Sequence, residues 1–445
     1  MVTPFLPKPS LFLNNMNKIK EIIGREIYDS RGNPTVECDV ILADGSVGRA
    51  SVPSGASRGK DEAWEKRDGG NRLSGFGVRE AVKGINTEIN KEIAGLMPVQ
   101  VEIDKILCEL DGTKNKKRLG ANAILAVSIA SLKAAAVSEK LPLYKYIENI
   151  SGASSDHFDF PCPQFNIING GEHAENNLDF QEFLIIPMGA KSVAEAMQMG
   201  GEVYTSLKKL LLDNNLSVGL GDEGGFAPNL RNNEEAIQYV VKAIETAGYH
   251  PGKEIFLGLD VAANSFYDQK EELYVFKSQY KKRDRTEMIA HFKSLTLKYP
   301  IISIEDPLTE TDLDGWKEIT EVLGSRIQIV GDDFFVTNPR KIASAAKKGL
   351  ANSVLIKPNQ IGTVSEVFEA VKVAHDDGYI CIVSHRSGDT EDSFIADLAY
   401  GIKAKQMKSG SLSRSERMAK YNQLLRIEED IVESRILSSF KNKVF

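Results

Sequence analysis

Residues 300–306 read PIISIED, a short apolar run that ends on two acids. Similar runs occur along the chain: EFLIIP at 182–187, IFLGLD at 255–260, IQIVGDD at 327–333, SVLIK at 353–357 and CIVSHRS at 381–387. Near-continuous apolar strands separated by helices are typical of a parallel sheet covered on both faces. With the less regular stretch at 160–180, these six runs predict a closed β/α barrel rather than an open sheet.

Five of these runs end on an ionisable residue. They finish at Asp260, Glu305, Asp332, Lys357 and Arg386. In β/α barrels the chemistry lies at the carboxyl ends of the strands. Helix capping is the alternative explanation for any single acid, but it does not explain the lysine and the arginine. We therefore predict that five strands direct charged groups into one barrel mouth.

The three acids of this set, Asp260, Glu305 and Asp332, offer oxygen ligands only. Carboxylates from separate strands suit a hard cation, and Mg²⁺ keeps open positions for water and substrate. Zinc is disfavoured because no Cys or His pair joins them. The sequence predicts a magnesium site.

The net charge of the chain bears on the kind of partner it can bind. The chain has 445 residues and a net charge of −7, so nucleic acid is not an expected partner. An anionic substrate must then be held by a local cationic site.

The four cysteines lack CxxC spacing and are expected to be free thiols in a reducing compartment: Cys38, Cys108, Cys162 and Cys381.

The predicted secondary structure differs between the two parts of the chain. Residues 17–60 carry Gly-Asn-Pro and Asp-Gly turn signals between β-rich runs, and helical patterns follow at 77–95, 102–110 and 120–138. We expect an α+β domain over 17–150, a linker at ISGASSDH and a catalytic barrel over 151–445. Prolines break the apolar stretch in residues 1–16, so we expect a disordered extension there, no signal peptide and a cytoplasmic protein.

One segment resembles a membrane span by composition. Leu119–Val137 is apolar and rich in alanine, but it contains Asn122, Ser128, Ser131 and Lys133. Membrane spans usually have about 20 predominantly apolar residues. We predict instead a buried helix that packs closely through its small residues, and no membrane association.

Three glycine-hinged loops separate the regular elements. They are SGASRG at 54–59, NGGEHA at 169–174 and GDEGGFAP at 221–228. Glycine permits tight loops that bring the backbone and a carboxylate close to a ligand. Each loop is either a mobile lid or a surface turn.

The ordered set of motifs resembles the enolase family. The motifs include REIYDSRGNPTVE, VPSGASRG, LGANAILAVS, NIINGGEHAENNLDFQEF, GDEGGFAPN, SIED, GDDFFVTN, IKPNQIGT, SHRSGDTED and YNQLLRIEE, and they extend from about residue 18 to about residue 430. The resemblance implies an N-terminal α+β domain followed by a TIM-type barrel with an irregular first half. It also implies a glycolytic and gluconeogenic lyase that reversibly dehydrates 2-phosphoglycerate to phosphoenolpyruvate.

The resemblance also implies roles for particular residues. Lys357 would be the general base and Glu223 the general acid, supported by Glu182. We expect Mg²⁺, Arg386 and Lys408 to disfavour the protonated form of Lys357, and Glu182 to raise the pKa of Glu223.

Binding roles follow in the same way. The resemblance implies that Asp260, Glu305 and Asp332 bind a first Mg²⁺. A second would bind with the substrate phosphate at Ser57. The substrate, a phosphorylated hydroxy acid, would be surrounded by His173, Gln181, Arg386, Ser387, Lys408 and Ser57. Glu37 and Arg426 match a pair that meets across the family's dimer interface, so we expect a homodimer or higher homo-oligomer.

The chain departs from the family pattern at a few positions. Arg58 replaces a threonine beside Ser57, Asn264-Ser265 replace Ser-Glu, and Asp389 replaces a glutamate. Either Arg58 points to solvent in an ordinary enolase, or it meets an extra negative charge on a related phosphorylated or phosphonate acid. A non-catalytic role at the cell surface or in a complex is a third hypothesis, which the intact catalytic set disfavours.

Overall fold

The computed structural model describes residues 17–55, 59–153 and 160–444, with side chains described up to 434. The N-terminal extension, Ser57, Arg58 and the centre of the predicted linker lie outside the described residues. Expectations about them remain predictions.

The first part of the chain is a small α+β unit. Its three strands form an antiparallel sheet in the order in which they occur in the chain, and the Gly-Asn-Pro and Asp-Gly signals lie at the two turns. A five-residue π-helical turn, Ile85–Ile89, joins the first two helices. The strands are β1 (Ile19–Tyr28), β2 (Pro34–Leu42) and β3 (Val47–Ser51), and the helices are α1 (Arg79–Gly84), α2 (Asn90–Ile93), α3 (Gln100–Asp111), α4 (Ala121–Ser138) and α5 (Leu143–Ser151).

The second part alternates strands and helices. The strands are β4 (Cys162–Asn169), β5 (Glu182–Ile186), β6 (Phe256–Asp260), β7 (Tyr267–Asp268), β8 (Leu273–Phe276), β9 (Lys281–Arg283), β10 (Ile301–Glu305), β11 (Gln328–Gly331), β12 (Ser353–Ile356), β13 (Ile380–Ser384) and β14 (Gln406–Lys408). The helices are α6 (Val193–Asp213), α7 (Asn233–Thr246), α8 (Arg285–Lys298), α9 (Leu313–Leu323), α10 (Pro339–Ala346), α11 (Pro358–Ile361), α12 (Val364–Asp376), α13 (Phe394–Gly401) and α14 (Ser415–Val444).

Eight strands close into a barrel in the order β10–β11–β12–β13–β14–β4–β5–β6, while β7, β8 and β9 form a separate antiparallel sheet. This arrangement confirms the predicted barrel. All six predicted strand runs are barrel strands, and the sequence did not single out the three-residue β14.

One of the six predicted runs is not parallel to its neighbours. Strand β5 is antiparallel to both β4 and β6. A parallel connection needs a crossover, usually a helix, but only a loop with one short helical turn, Gly171–His173, separates β4 from β5. The chain therefore turns back on itself, which accounts for the irregular first half of the barrel. It also places the first residue of β5, Glu182, beside the last residues of its neighbours, Asn169 and Asp260.

Helix α4 is the apolar segment that resembled a membrane span. It is the one helix in the described part of the chain that is long and apolar enough to cross a membrane, and 83% of its apolar window is buried inside the protein. It packs against β2 and β3. A Cβ at Gly48 of β3 would lie 2.0 Å from the Ala130 carbonyl oxygen and 2.3 Å from the Ala134 nitrogen. The small residues therefore permit close backbone contact, as predicted.

We expect Gly48→Ala to lower the free energy of unfolding by about 1–3 kcal/mol or more, because the added methyl group overpacks a rigid backbone contact. Urea unfolding followed by circular dichroism measures the change. Gly201→Ala is the control, since a Cβ there meets nothing within 4 Å on helix α6. That change should stabilise the protein by about 0.5–1 kcal/mol. Equal midpoints for wild type and Gly48→Ala would contradict the close contact.

The N-terminal unit contacts the barrel beside the loop that follows β13. Ser54 and Gly388 exchange backbone hydrogen bonds of 2.7 and 2.9 Å, and the Ser30 nitrogen donates to the Asp389 carbonyl at 2.8 Å. Lys133 of α4 forms an ion pair with Asp392 at 2.6 Å. These contacts hold the segment around Ser54 at the carboxyl end of the barrel.

Asp397 of α13 gives a pH-dependent prediction. Burial raises the pKa of its carboxyl from 3.8 to about 6. The folded state therefore holds the proton more tightly than the unfolded chain does, so stability falls as the pH rises from about 4 through about 6. We expect Asp397→Asn to gain stability relative to wild type over this range, by up to about 3 kcal/mol at pH 7. Thermal unfolding between pH 4 and 7 measures it, and a constant difference across that range would contradict the prediction.

Candidate active site

The carboxyl ends of the barrel strands bring the predicted groups to one mouth. Asp260, Glu305 and Lys408 are the last residues of β6, β10 and β14, and Asp332 and Lys357 directly follow β11 and β12. Eight of the predicted site residues line one small cavity: His173, Gln181, Glu182, Glu223, Lys357, Arg386, Ser387 and Lys408.

Lys408 occupies the centre of an acidic cluster. Its Nζ lies 2.7 Å from Glu305 Oε2, 3.1 Å from Glu182 Oε2 and 3.5 Å from Asp260 Oδ2. All four side chains are buried. Burial lowers the pKa of the Lys408 ammonium, but the surrounding carboxylates outweigh that effect and raise it well above its ordinary value. Lys408 is therefore a fixed positive charge at neutral pH.

Lys357 forms an ion pair with Asp332, and Gln360 donates to the other oxygen of that carboxylate at 2.8 Å. Burial, Arg386 and Lys408 lower the pKa of Lys357, but the Asp332 charge raises it above its ordinary value overall. The lowered pKa expected from the sequence is for a site that holds Mg²⁺, and it stays a prediction. In the ion pair with Lys357, Asp332 acts as a full negative counter-charge to the ammonium group.

Glu182 and Glu223 form a buried acid pair beside His173. His173 Nδ1 lies 3.7 Å from Glu182 Oε1 and 3.6 Å from Glu223 Oε1. Burial and the charge of Glu223 raise the pKa of Glu182 well above its ordinary value. Burial also acts to raise the pKa of Glu223, but His173 and His385 lower it well below its ordinary value. The pKa values thus separate in the opposite sense to the one expected from sequence.

Arg386 is held in place by a carboxylate from the N-terminal unit. Its Nη1 and Nη2 each donate to one oxygen of Glu62 at 3.1 Å, and Nη1 also donates to Asn359 Oδ1 at 3.1 Å. Burial lowers the pKa of Arg386, but Glu62 and Asp332 raise it above its ordinary value. Because strand β13 ends at Ser384, the guanidinium extends from the loop just beyond the barrel.

Gln181 and Ser387 complete the predicted set within the described residues. Gln181 Nε2 donates to Asp260 Oδ2 at 3.3 Å, while its buried Oε1 has no hydrogen-bond partner. Ser387 lines the cavity through the same loop as Arg386. Ser57 and Arg58 lie outside the described residues, so their positions relative to this cavity stay predictions.

The other departures from the family pattern have local structural roles. Asp389 is buried, accepts from Lys420 Nζ at 2.8 Å and accepts from the Arg386 nitrogen at 3.2 Å. Asn264 accepts from the Glu310 nitrogen at 3.0 Å, and Ser265 donates to the Ala262 carbonyl at 2.8 Å. Asp389 therefore orients the loop that carries Arg386.

Sequence patterns did not identify two residues near the cavity. Glu62 follows the SGASRG loop and has no strand-end signal. Arg417 lies in none of the sequence motifs. Its guanidinium donates to the backbone carbonyls of Arg386 and Ser387, each at 2.5 Å. Its Nη1 also lies 2.6 Å from His385 Nδ1. Both act through contacts between segments far apart in the chain, which no local pattern reports.

The acids fit a hard cation by their chemistry. Asp260, Glu305 and Asp332 offer carboxylate oxygens, and the unpartnered Gln181 Oε1 lies nearby. In this structure Lys408 forms ion pairs with Asp260 and Glu305, and Lys357 forms one with Asp332. Within the part of the chain that the structure describes, ligand atoms lie within 4.8 Å of one another in two groups, His173–Glu182–Glu223 and Asp306–Asp332–Asp333, and of the predicted metal set only Asp332 belongs to either.

A closed barrel with lysines and carboxyl groups at its carboxyl mouth, next to an α+β unit, has the architecture of the β/α-barrel enzymes, whose chemistry lies at that end. Comparison with known proteins gives the family. The family model "Enolase, N-terminal domain" matches residues 19–147, and "Enolase, C-terminal TIM barrel domain" matches residues 157–443. The enolase of Anaplasma phagocytophilum (strain HZ) is 52% identical over 433 residues, which are 97% of this chain and 99% of that protein. The chain belongs to the enolase family.

Proposed function

We propose that this chain is a carbon–oxygen lyase that catalyses the reversible dehydration of 2-phosphoglycerate to phosphoenolpyruvate. Family membership supports the activity. The observation that carries it is the convergence of Lys357, Lys408 and Arg386 with the buried acids Glu182 and Glu223 around one cavity. The reaction removes a proton from the carbon beside a carboxylate and expels hydroxide, so it needs a base, an acid and fixed positive charge.

Asp260, Glu305 and Asp332 are proposed to hold the first Mg²⁺, with a second at Ser57 and the substrate phosphate. Magnesium bound there would supply positive charge to stabilise the doubly negative substrate carboxylate after proton removal. Enzymes of the enolase superfamily pair a lysine or histidine base with Mg²⁺, so this division of roles follows the family.

Lys357 is proposed as the general base. In this structure the Asp332 charge keeps its ammonium protonated. A cation bound to Asp332 would offset that carboxylate's charge, and so remove the main effect that raises the pKa of Lys357. Burial, Arg386 and Lys408 then lower the pKa and favour the neutral amine that accepts the substrate proton.

The Glu182–Glu223 pair is proposed to supply the proton that leaves with hydroxide. Ligand atoms of the two buried acids and of His173 lie within 4.8 Å of one another, and carboxyl groups this close titrate as a unit, so the proton belongs to the pair. We infer that Glu223 delivers it to the substrate after the proton is redistributed within the pair, with His173 in contact with both carboxylates.

Arg386, Lys408, His173, Gln181 and Ser387 are proposed to contact the substrate. A guanidinium binds phosphate oxygens through two parallel hydrogen bonds, and a buried ammonium stabilises a carboxylate. This local charge allows an acidic chain to bind an anion.

We further propose a cytoplasmic homodimer. Within one protomer, Glu37 accepts from Arg25 at 2.7 Å and from Ser51 at 2.8 Å, while Arg426 donates to Gln423 at 3.3 Å. An interprotomer pair between Glu37 and Arg426 would add to these contacts. Sedimentation of wild type and Arg426→Ala tests the proposal.

One assay tests the activity. Purified protein is mixed with Mg²⁺ and 2-phosphoglycerate, and phosphoenolpyruvate is followed by its ultraviolet absorbance. We expect turnover in the ordinary enzyme range of about 1–10³ s⁻¹, lost on chelation and restored by Mg²⁺. Little activity on 2-phosphoglycerate together with turnover of another phosphorylated or phosphonate acid would overturn the substrate assignment.

A further inference from the structure

Glu62 makes an unusual contact for an acid next to an anion-binding cavity. Its two carboxylate oxygens accept one hydrogen bond each from Nη1 and Nη2 of Arg386, both at 3.1 Å. Only 7% of the Glu62 side chain and 5% of the Arg386 side chain are exposed. This parallel two-bond geometry is the one by which a guanidinium binds a carboxylate or a phosphate.

The Glu62 carboxylate also has donors besides Arg386. The Gly59 nitrogen donates to Oε1 at 3.2 Å, and Gln360 Nε2 donates to the same oxygen at 3.4 Å. Gln360 in turn donates to Asp332 Oδ1 at 2.8 Å. The carboxylate is therefore surrounded by donors that an external anion would also use.

We propose that Glu62 is an internal occupant of the anion subsite on Arg386, and that the phosphate of the substrate displaces it. The inference rests on the proposed function, in which Arg386 binds that phosphate. A guanidinium offers five N–H donors, and Glu62 uses the Nη1–Nη2 edge of Arg386. A phosphate that binds to this edge must therefore compete with Glu62 for it. Substrate binding exchanges one bidentate anion for another.

The exchange has a consequence for specificity. A bare arginine in a buried site attracts any small anion, since charge-assisted hydrogen bonds strengthen as water is excluded. With Glu62 in place, an anion must first displace a tethered competitor. Inorganic phosphate lacks the further contacts that 2-phosphoglycerate makes through its carboxylate, so Glu62 selects against phosphate alone.

The test compares inorganic phosphate binding by wild type and Glu62→Gln, measured by calorimetry in the presence of Mg²⁺. The substitution keeps the shape of the side chain and removes its charge. We expect the dissociation constant for phosphate to fall by about tenfold or more, the equivalent of one improved charge-assisted contact. The KM for 2-phosphoglycerate should fall with it, and kcat should not rise in parallel.

Glu65→Gln is the matched control. Glu65 lies three residues further along, accepts from Arg67 at 2.5 Å and is 14% exposed. It tests the effect of neutralising a partly buried, arginine-paired acid outside the cavity, and its phosphate affinity should equal that of wild type. An equal gain in Glu65→Gln would overturn the proposal, because the effect would then be one of overall charge.

A purely structural role for Glu62 predicts the opposite result, with weaker phosphate binding and a lower melting temperature. Phosphate affinity that is unchanged or weaker in Glu62→Gln, with wild type active on 2-phosphoglycerate, would refute the displacement and leave the proposed function intact. Absence of wild-type activity would instead refute the function. If Glu62→Gln does not fold, Glu62→Asp replaces it in the test. This variant shortens the side chain by one methylene and so draws the carboxylate away from Arg386, and the proposal requires that it bind phosphate more tightly than wild type.

Discussion

Replacing Lys357 by alanine is expected to lower kcat by at least about 10³-fold, within the range that a positioned general base contributes. The ammonium group contacts Asp332 and lies in a buried position on the cavity wall. Alanine leaves no group in that position to accept the substrate proton. The KM for 2-phosphoglycerate should change far less than kcat, because Arg386 and Lys408 remain to bind the substrate.

Phosphoenolpyruvate absorbance with saturating 2-phosphoglycerate and Mg²⁺ measures the loss. Lys347→Ala removes an exposed lysine and serves as the control, with kcat equal to that of wild type. Circular dichroism checks that the Lys357→Ala barrel is folded. A kcat within about tenfold of wild type would show that another group accepts the proton.

Replacing Lys408 by methionine is expected to destabilise the protein by about 3–5 kcal/mol in the presence of chelator, because it leaves buried charges without their counter-charge. Lys408 lies within 3.5 Å of Glu182, Asp260 and Glu305. Methionine retains the length and packing of the side chain but removes its charge. The pKa of Lys408 is raised on folding, so its stabilisation is complete below its unfolded pKa and is lost only as the pH rises through the higher folded value. The effect should therefore be full at pH 7.

Thermal unfolding with and without Mg²⁺ provides a readout that does not depend on activity. We expect Mg²⁺ to stabilise Lys408→Met more than wild type, because a cation among the same carboxylates would replace the lost charge. Lys372→Met alters an exposed ion pair with Asp376 and should change stability by less than about 1 kcal/mol. Equal melting temperatures for wild type and Lys408→Met in chelator would show that these acids are already protonated in the fold.

Local sequence patterns were sufficient to predict which strand ends meet at the barrel mouth. Asp260 and Glu305 end apolar runs that become β6 and β10, and parallel strands bring such ends to the same edge. The position of Glu182 at the barrel mouth could not be predicted in this way. It begins its strand rather than ending it, and it reaches the mouth only because β5 is antiparallel to its neighbours. A strand-end rule assigns it to the opposite end of the barrel, so its place in the site came from the family resemblance.

The sequence by itself determined the barrel, the buried helix α4 and the residue types at the mouth, because side-chain periodicity and strand ends are local properties of the chain. Only the tertiary structure decided which charges are paired. It placed Glu62 on Arg386, 324 positions apart in the chain, and it set Lys408 among three acids from different strands. It also reversed the expected pKa order of Glu182 and Glu223. A pKa depends on burial and on every charge within a few ångströms, and those distances exist only once the chain has folded.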